Sequence, residues 1–226
     1  MSTPTLSIIV PTLNEAAGIT STLKALAPLR ARGSQVIVAD GGSHDGTDAL
    51  AQLLVDRVVT VPRGRARQMN AGAAYATGDV LLFLHADTRL PADADQVIQQ
   101  AIQAGAVWGR FDVSIEGRPW MLRVVSMLMN LRSRWTGIAT GDQAVFVRRE
   151  IFERVGCFPD QALMEDVALS AQLLRVAPPF CLRARAVTSG RRWETHGVWR
   201  TIFLMWRLRW RYWRGESPQV LAEAYR

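Results

Sequence analysis

The chain has 226 residues, of which 49% are hydrophobic and 21% charged, and this composition excludes a disordered or fibrous protein. The length suits one sizeable domain, residues 1–226, and two cysteines are too few for a disulfide scaffold. The net charge of +7 favours an anionic partner, namely nucleic acid, an anionic membrane surface or a phosphorylated substrate.

Four short apolar runs in the first half predict buried strands, at Leu6–Val10, Gln35–Ala39, Arg57–Val61 and Asp79–Leu84. Helical segments separate them: one opens at Asn14 and is limited by Pro28, and others cover Asp45–Leu54 and Gln68–Ala76. Because the strands are continuously apolar, both faces of the sheet are expected to be buried, which is typical of a parallel sheet in an α/β fold.

The second half is less regular. Strands are predicted at Trp108–Ile115 and Ala144–Val147, and helices at Trp120–Leu131, Met164–Leu174 and Val198–Trp213. Arginines interrupt the two most apolar of these helices, so neither is expected to span a membrane. The amino terminus lacks the pattern of a signal peptide. We expect a cytoplasmic protein, and peripheral contact with the inner face of the membrane stays open.

Three polar clusters follow predicted strands, at Pro11–Glu15, Asp40–Ser43 and His85–Asp87. In open parallel sheets, ligands bind outside the carboxyl ends of the strands, so we expect these clusters to meet in one crevice. A carboxylate such as Asp87 is suited there to hold a hard cation against a diphosphate, although a lone aspartate is more often a turn residue. Asp40 is expected to bind a ribose or base, and Asp45 to cap a helix.

Two further groups of side chains could take part in catalysis or binding. Glu165 and Asp166 form an acidic pair that either supplies a general base or is favourable charge at a helix amino terminus. Arg191, Arg192 and Trp193, with His196 nearby, either hold phosphates through arginine forks or form a solvated basic turn.

Taken in order, these clusters resemble glycosyltransferase family 2, whose members have the GT-A fold. The matching segments span roughly residues 5 to 195 and are Ser7–Glu15, Val38–Thr47, Gly78–Thr88, Gly141–Ala144, Val155–Phe158 and Glu165–Asp166. The resemblance implies a Rossmann-like, mostly parallel sheet flanked by helices. It divides the chain into a nucleotide-sugar-binding half (1–90), an acceptor and catalytic half (91–197) and a basic, aromatic, helical carboxy-terminal segment (198–226).

The resemblance also implies a reaction, the inverting transfer of a sugar from a nucleotide-diphosphate donor to a hydroxyl acceptor, with a divalent metal (Mn²⁺ or Mg²⁺). Asp166 would be the base, with Glu165 as its first replacement, and Asp87 would hold the metal, with His85 and His196 as further candidate ligands. The donor side is expected at Pro11, Thr12, Glu15, Asp40, Arg67, Asn70, Ala86 and Asp87. The acceptor side is expected at Gly141, Asp142, Arg192 and Trp193.

The sequence departs from the family pattern in three places. His85 stands where the metal-binding DxD motif has its first acid, as in a small bacterial subgroup of stand-alone enzymes. Gly41 replaces the second acid of an Asp-Asp pair, which leaves the base of the donor open. Only Arg192-Trp193 remains of a carboxy-terminal motif of processive relatives, so a processive polymer synthase is not expected.

Two other functions compete with this one. A nucleotidyltransferase of similar fold is disfavoured because Pro11–Gly18 contains no basic residue for a triphosphate. A non-catalytic basic module would bind a membrane or nucleic acid through Trp193–Arg214, although we expect no nucleic-acid partner.

The carboxy-terminal segment carries aromatic side chains at three- and four-residue steps, at Trp199, Phe203, Trp206, Trp210 and Trp213, with arginines between them. One interpretation is a helix that lies in the membrane interface through Trp199–Arg214 and brings the enzyme to a lipid-borne acceptor. The alternative is that this face packs on the protein's own sheet or on a second subunit. The oligomeric state is not predicted.

Overall fold

The computed structural model describes residues 3–225. Its strands are β1 Leu6–Thr12, β2 Gln35–Asp40, β3 Arg57–Thr60, β4 Val80–Phe83, β5 Thr88–Arg89, β6 Trp108–Glu116, β7 Val145–Arg148 and β8 Phe180–Ser189. Its helices are α1 Ala16–Ala31, α2 Thr47–Gln52, α3 Arg65–Ala74, α4 Ala94–Gln103, α5 Met121–Thr136, α6 Arg149–Arg154, α7 Glu165–Leu174, α8 Arg191–His196, α9 Val198–Trp213 and α10 Pro218–Tyr225. A short 3-10 turn, Gly141–Gln143, precedes β7.

All eight strands belong to one sheet, in the order β3-β2-β1-β4-β7-β6-β8-β5. Strands β1 to β4 pair in parallel, as the sequence predicts. The antiparallel strand β7 joins β4 to β6, and β6 pairs in parallel with β8. The predicted mostly parallel α/β sheet is therefore confirmed, and the sheet runs from the first half of the chain into the second.

The core lies on both faces of this sheet. Along β1, Ile8 and Val10 point into one apolar cluster and Ile9 into the other. Successive side chains of a strand face opposite sides, so a strand covered on both sides has to be apolar throughout. This is why the buried strands could be identified from their composition.

Helix α1 differs from the prediction, because it continues through Pro28 to Ala31. Leu26 and Leu29 on either side of the proline are both buried, at 1% exposure. The burial of this face offsets the backbone hydrogen bond that a proline inside a helix removes. The predicted limit at Pro28 was wrong.

Five elements of the described residues have no counterpart in the sequence-based prediction: α4, α6, α8, β5 and β8. Strand β8 alternates apolar residues with arginines such as Arg183 and Arg185, so it lacks the continuous apolar run of the other strands. None of the helices between residues 3 and 225 combines the length and apolar character needed to cross a bilayer.

Candidate active site

The carboxyl ends of β1 and β2 are locked side by side. Thr12 and Asp40, the last residues of the two strands, are paired in register, and the Thr12 hydroxyl donates to Asp40 Oδ1 at 3.0 Å. The buried amide of Gln68 donates to the carbonyls of Thr12 at 2.6 Å and Ala39 at 2.9 Å. Gln68 was not identified from the sequence, since nothing in its helix pattern shows that it faces the strand ends.

Asp40 is buried and organises the loop that follows it. Its Oδ2 accepts hydrogen bonds from the N–H groups of Gly42 (2.9 Å) and Ser43 (2.7 Å), and its Oδ1 accepts one from the Ser43 hydroxyl (2.6 Å). Direct binding of a donor by Asp40 stays a prediction. What the carboxylate does in this structure is hold the loop at the crevice in one conformation.

Asp45 ties together the starts of two helices. Its carboxylate accepts hydrogen bonds from the N–H of Thr47, the first residue of α2, and from the N–H of Ala16, the first residue of α1. The bond from the Thr47 hydroxyl, together with these N–H groups, lowers the pKa of Asp45. The N-cap residue of α2 is Gly46, so Asp45 bonds the first N–H of the helix from the position before the predicted cap.

The three predicted clusters meet at this edge of the sheet. Burial raises the pKa of Glu15, the charges of Asp87 and Asp45 raise it further, and the charges of Arg191 and Arg65 oppose them. The contacts agree: the Asn14 N–H donates to the Ser43 hydroxyl at 2.8 Å, which joins the loops after β1 and β2, and the Thr22 hydroxyl of α1 donates to the Ala86 carbonyl in the loop after β4. Asp87 is exposed there, and the only hydrogen bond that its carboxylate accepts from a described residue is a long one, 3.4 Å from the Thr88 hydroxyl.

His85 links the donor side to the acceptor side. Its Nδ1 lies 3.3 Å from Oδ1 of Asp142, and only 14% of its side chain is exposed. A Cβ atom at Gly141 would lie 2.2 Å from His85 Nε2, so only glycine leaves room for the imidazole. Although burial acts in the opposite direction, the hydrogen bond to His85 and the charges of His85 and Arg65 lower the pKa of Asp142.

Asp166 is held from two sides in the first turn of α7. Its Oδ2 accepts a hydrogen bond from the Gly141 N–H at 2.8 Å, and its Oδ1 accepts one from the Val167 N–H at 2.7 Å. Burial and then the charge of Glu165 raise the pKa of Asp166 to about 6, against the opposing effect of these N–H groups and of Arg65. This carboxylate is deprotonated at neutral pH and is still a useful base.

Glu165 has a different environment. Only 4% of its side chain is exposed, and its Oε1 lies 3.6 Å from Nη1 of Arg65, at the start of α3. Arg65 was missed in the sequence, because three arginines alternate at positions 63, 65 and 67 and the pattern does not show which one faces the acids. A small cavity connects the groups and is lined by Phe83, His85, Gly141, Glu165, Asp166 and Leu169.

Several other residues that were predicted to bind the sugar donor make hydrogen bonds within the protein. The guanidinium of Arg67 binds Asp160 at 2.9 Å, and the amide of Asn70 bonds both the N–H and the carbonyl of Phe158. These bonds hold the segment 158–160 against α3. Pro11, Thr12 and Ala86 are buried, and the Ala86 carbonyl accepts a bond from the Thr22 hydroxyl at 2.6 Å. Their contacts with a donor stay predictions.

The predicted acceptor residues of α8 are anchored. Arg192 donates to the Tyr225 carbonyl at 2.9 Å and lies over the Tyr225 ring, 3.7 Å from its centre. Trp193 packs on a cluster that contains Val113 and Ile115. His196 is exposed, with its Nδ1 3.2 Å from the Arg192 carbonyl, and lines a cleft separate from the cavity that contains His85 and Asp166. Its role as a metal ligand stays a prediction.

The aromatic face of α9, defined as Trp199, Phe203, Trp206, Trp210 and Trp213, points away from the described protein. Each of these side chains is between 57% and 79% exposed. The interpretation that this face packs on the protein's own sheet was therefore wrong. Leu208, on the opposite side of the helix, makes the contact with the domain and is fully buried.

Comparisons with known proteins agree with this geometry. The model of glycosyl transferase family 2 matches residues 7–158. The chain is 28% identical over 243 residues to the probable glycosyltransferase YdaM of Bacillus subtilis, which covers 96% of this chain. The chain spans only 56% of the length of that relative.

Two solved structures share the fold. Mannosyltransferase PcManGT from Pyrobaculum calidifontis, in complex with GDP-Man and Mn²⁺, has a TM-score of 0.65 at 22% identity. The match covers 100% of this chain and 70% of the mannosyltransferase chain. S. aureus TarS 1-349, in complex with UDP-GlcNAc, has a TM-score of 0.66 at 18% identity. The match covers 82% of this chain and 58% of the TarS chain. The predicted GT-A arrangement is confirmed, and with more than half of its length matched by the family model, this chain belongs to glycosyltransferase family 2.

Proposed function

We propose that this chain transfers a sugar from a nucleotide-diphosphate donor to a hydroxyl group, with inversion at the sugar carbon. The observation that carries the proposal is the placement of Asp166. Its carboxylate is held by the Gly141 N–H, in the cavity where His85, at the end of β4, meets the acceptor segment. A base on one side of a crevice and an anion-binding edge on the other are what a single displacement requires.

The donor side is the edge formed by the loops after β1, β2 and β4. Support comes from structural neighbours, one of which was solved with GDP-Man and Mn²⁺ and another with UDP-GlcNAc. In this chain Asp40 and Gln68 hold the loops in place, while the exposed carboxylate of Asp87 and the nearby Arg191 face the crevice. We propose that these loops bind the nucleotide and the diphosphate.

A divalent cation fits this edge only together with a substrate. Between residues 3 and 225, no group of three His, Cys, Asp or Glu side chains is arranged to hold a metal ion. Asp87 is nevertheless an exposed carboxylate with nearly all of its bonding capacity free, and Mg²⁺-type sites often use one or two carboxylates plus substrate phosphates. The cation, Mn²⁺ or Mg²⁺, would neutralise charge on the departing diphosphate.

The chemistry assigned to Asp166 is a proton transfer. As the acceptor oxygen forms its bond to the sugar carbon, the bond from that carbon to the diphosphate breaks. The acceptor proton passes to a carboxylate oxygen of Asp166. Each of those oxygens uses one lone pair on a backbone N–H and keeps another for the proton.

The test of donor binding is a calorimetric titration with UDP, GDP and dTDP, with and without Mn²⁺. We expect one of the nucleotides to bind at least about 10-fold more tightly with Mn²⁺, and Asp87→Asn to remove that enhancement. Asp93→Asn, an exposed aspartate at the start of α4, is the matched control and should leave it unchanged. Metal-independent binding in the parent, or unchanged enhancement in Asp87→Asn, contradicts the assignment.

We further propose that the enzyme works at the inner surface of a membrane on a lipid-borne hydroxyl acceptor. Support comes from the exposed aromatic face of α9 and from the arginines that flank it. Tryptophan favours the interface between water and lipid, and arginine is attracted to anionic headgroups. A second copy of the same basic face would be repelled, which favours a membrane over a dimer as the partner.

A further inference from the structure

A cleft of about 310 Å³ opens between α8, α9 and α10. Its lining residues include Arg192, His196, Arg200, Phe203, Arg207 and Tyr225. None of these residues has a part in the proton transfer or in the donor loops. The cleft is the larger of the two cavities described in residues 3–225.

The charge of the cleft is positive and largely unneutralised. Arg200 and Arg207 are exposed, and neither forms a salt bridge with an acid in residues 3–225. The acid whose charge reaches Arg207 is Glu216, and the carboxylate of Glu216 is paired with Arg211. Within residues 3–225 these two guanidinium groups therefore have no acidic partner, and a phosphate group can be bound by such forks through paired hydrogen bonds.

An apolar surface begins where the cleft ends. Arg200, Phe203 and Arg207 lie on one side of α9, since they are three and four residues apart. Phe203 also belongs to the aromatic face, and its ring contacts that of Trp206 edge-on, with 6.4 Å between the ring centres. A ligand that combines a phosphate with an apolar chain matches both surfaces, whereas a free anion uses only the cleft.

The cleft also adjoins the catalytic side of the molecule. Leu208 of α9 and Leu221 of α10 pack on Met164, which directly precedes the acidic pair of α7. Tyr225, which forms one wall of the cleft, packs against the same apolar cluster. A ligand held in the cleft would be next to the helix that carries Asp166.

We propose that this cleft binds the phosphate group of a lipid, with the lipid chain along the aromatic face of α9. Arg200 and Arg207 supply the charge, and the Arg192–Tyr225 pair forms a rigid wall. The inference rests on the proposed function and deepens it, because it names a phosphate-bearing lipid as the class of ligand that the acceptor side recognises.

The test is calorimetric binding of octyl phosphate below its micellar concentration, beside inorganic phosphate and 1-octanol. We expect octyl phosphate to bind at least about 10-fold more tightly than either fragment. The double variant Arg200→Gln with Arg207→Gln should weaken that binding by about 10-fold or more. The matched control, Arg154→Gln with Arg175→Gln, removes the same charge from exposed positions elsewhere and should stay within about twofold of the parent.

Several outcomes overturn the inference. They are a parent that does not bind octyl phosphate, equal losses in the two double variants, and inorganic phosphate binding as tightly as octyl phosphate. The last result would assign the cleft to a free anion. Titration of UDP and GDP with Mn²⁺ in the same variants separates this inference from the proposed function, since nucleotide binding should not change. If the parent does not bind UDP or GDP, the proposed function is contradicted, whereas the assignment of a lipid phosphate to the cleft is not.

Discussion

Asp166 and Glu165 are neighbours in the sequence but have different tasks. Both side chains line the cavity, but Glu165 is almost fully buried and faces Arg65, whereas Asp166 accepts hydrogen bonds from two backbone N–H groups. The Glu165 charge helps to raise the pKa of Asp166 to about 6. We therefore propose Asp166 as the base, and Glu165 as the group that orients Arg65 and raises the pKa of its neighbour.

Asp166→Asn should lower kcat by about 10²- to 10⁴-fold, because an amide cannot take the acceptor proton. Donor binding should change little, since Asp166 is not on the donor edge. In the parent enzyme the rate should fall as the pH drops through about 6, where the Asp166 carboxylate becomes protonated. Initial rates across pH 4.5–8 and nucleotide titrations measure both effects. Turnover of Asp166→Asn within a factor of a few of the parent would transfer the role to Glu165.

Gly141 and His85 form a matched pair. A Cβ atom at position 141 would lie 2.2 Å from His85 Nε2, so Gly141→Ala should displace the imidazole from Asp142 and shift the N–H that holds Asp166. We expect a destabilisation of about 1–3 kcal/mol and a lower kcat. Denaturant unfolding and initial rates measure the two effects.

Gly18→Ala is the control for that substitution. Gly18 lies in α1 and has no atom within 4 Å of an added Cβ, so alanine there should stabilise the helix by about 1 kcal/mol. Adding His85→Ala to Gly141→Ala should restore part of the lost stability, because it removes the clash. An unaltered unfolding midpoint in Gly141→Ala would show that His85 is not held as described.

The departure of Gly41 from the family pattern has a local cause. A Cβ atom at position 41 would lie 3.1 Å from the amide of Gln68, which bridges the carbonyls of Thr12 and Ala39. The bridge and an acid at position 41 compete for the same space. The strand ends of this chain are thus held by an amide that lies directly beside Gly41.

At the scale of the elements, α9 joins two surfaces of opposite character. Leu208 packs on Met164 and Leu221, and on the other side the aromatic face is exposed. An exposed apolar surface of this kind marks an interaction site. Because exposed tryptophans contribute little to folding, their function can be changed without loss of the fold.

Trp206→Gln combined with Trp210→Gln should reduce co-sedimentation with phosphatidylglycerol-containing vesicles by about 10-fold or more, because both rings would leave the interface. The melting temperature should stay within about 2 °C, since the two side chains are 66% and 57% exposed. Leu53→Gln with Val176→Gln, both exposed on other elements, should bind vesicles like the parent. A parent that ignores the vesicles and sediments as a dimer would assign the aromatic face to a second copy.

At the scale of the whole molecule, the positive charge of the chain should strengthen the contact between the aromatic face and an anionic membrane. The chain carries a net charge of +7, and Arg200, Arg207, Arg209 and Arg214 all belong to or follow α9. Each arginine near an anionic leaflet adds roughly 1 kcal/mol of attraction, and this attraction decays within a Debye length.

Vesicle binding should therefore depend on salt and on lipid charge. We expect affinity for phosphatidylglycerol vesicles to fall at least about 10-fold as NaCl rises from 0.05 M to 0.5 M, because screening shortens the range of the arginines. Binding to phosphatidylcholine vesicles should be weak throughout and nearly independent of salt. Flotation assays measure both. Equal binding to neutral and anionic vesicles would show that the charge has no part in the contact.

The sequence by itself determined the fold class and the edge of the sheet at which the proposed site lies. Strands β1, β2 and β4 are buried on both faces, so they have to be continuously apolar, and polar loops have to follow them. The acidic pair at the start of α7 and the amphipathic α9 were also identified, because local patterns encode each of them. The partly polar strand β8 and the helix that continues through Pro28 were missed, since only their packing stabilises them.

Only the tertiary structure decided which side chain does what. Contacts between residues far apart in the chain, such as Gly141 with Asp166 and Gln68 with Thr12, leave no periodic signal. The burial of Asp40, the pairing of Arg65 with Glu165 and the exposure of the aromatic face are likewise results of packing. Sequence patterns report which face of an element is apolar, but the partner of that face, and the pKa of a group beside it, are set when distant elements meet.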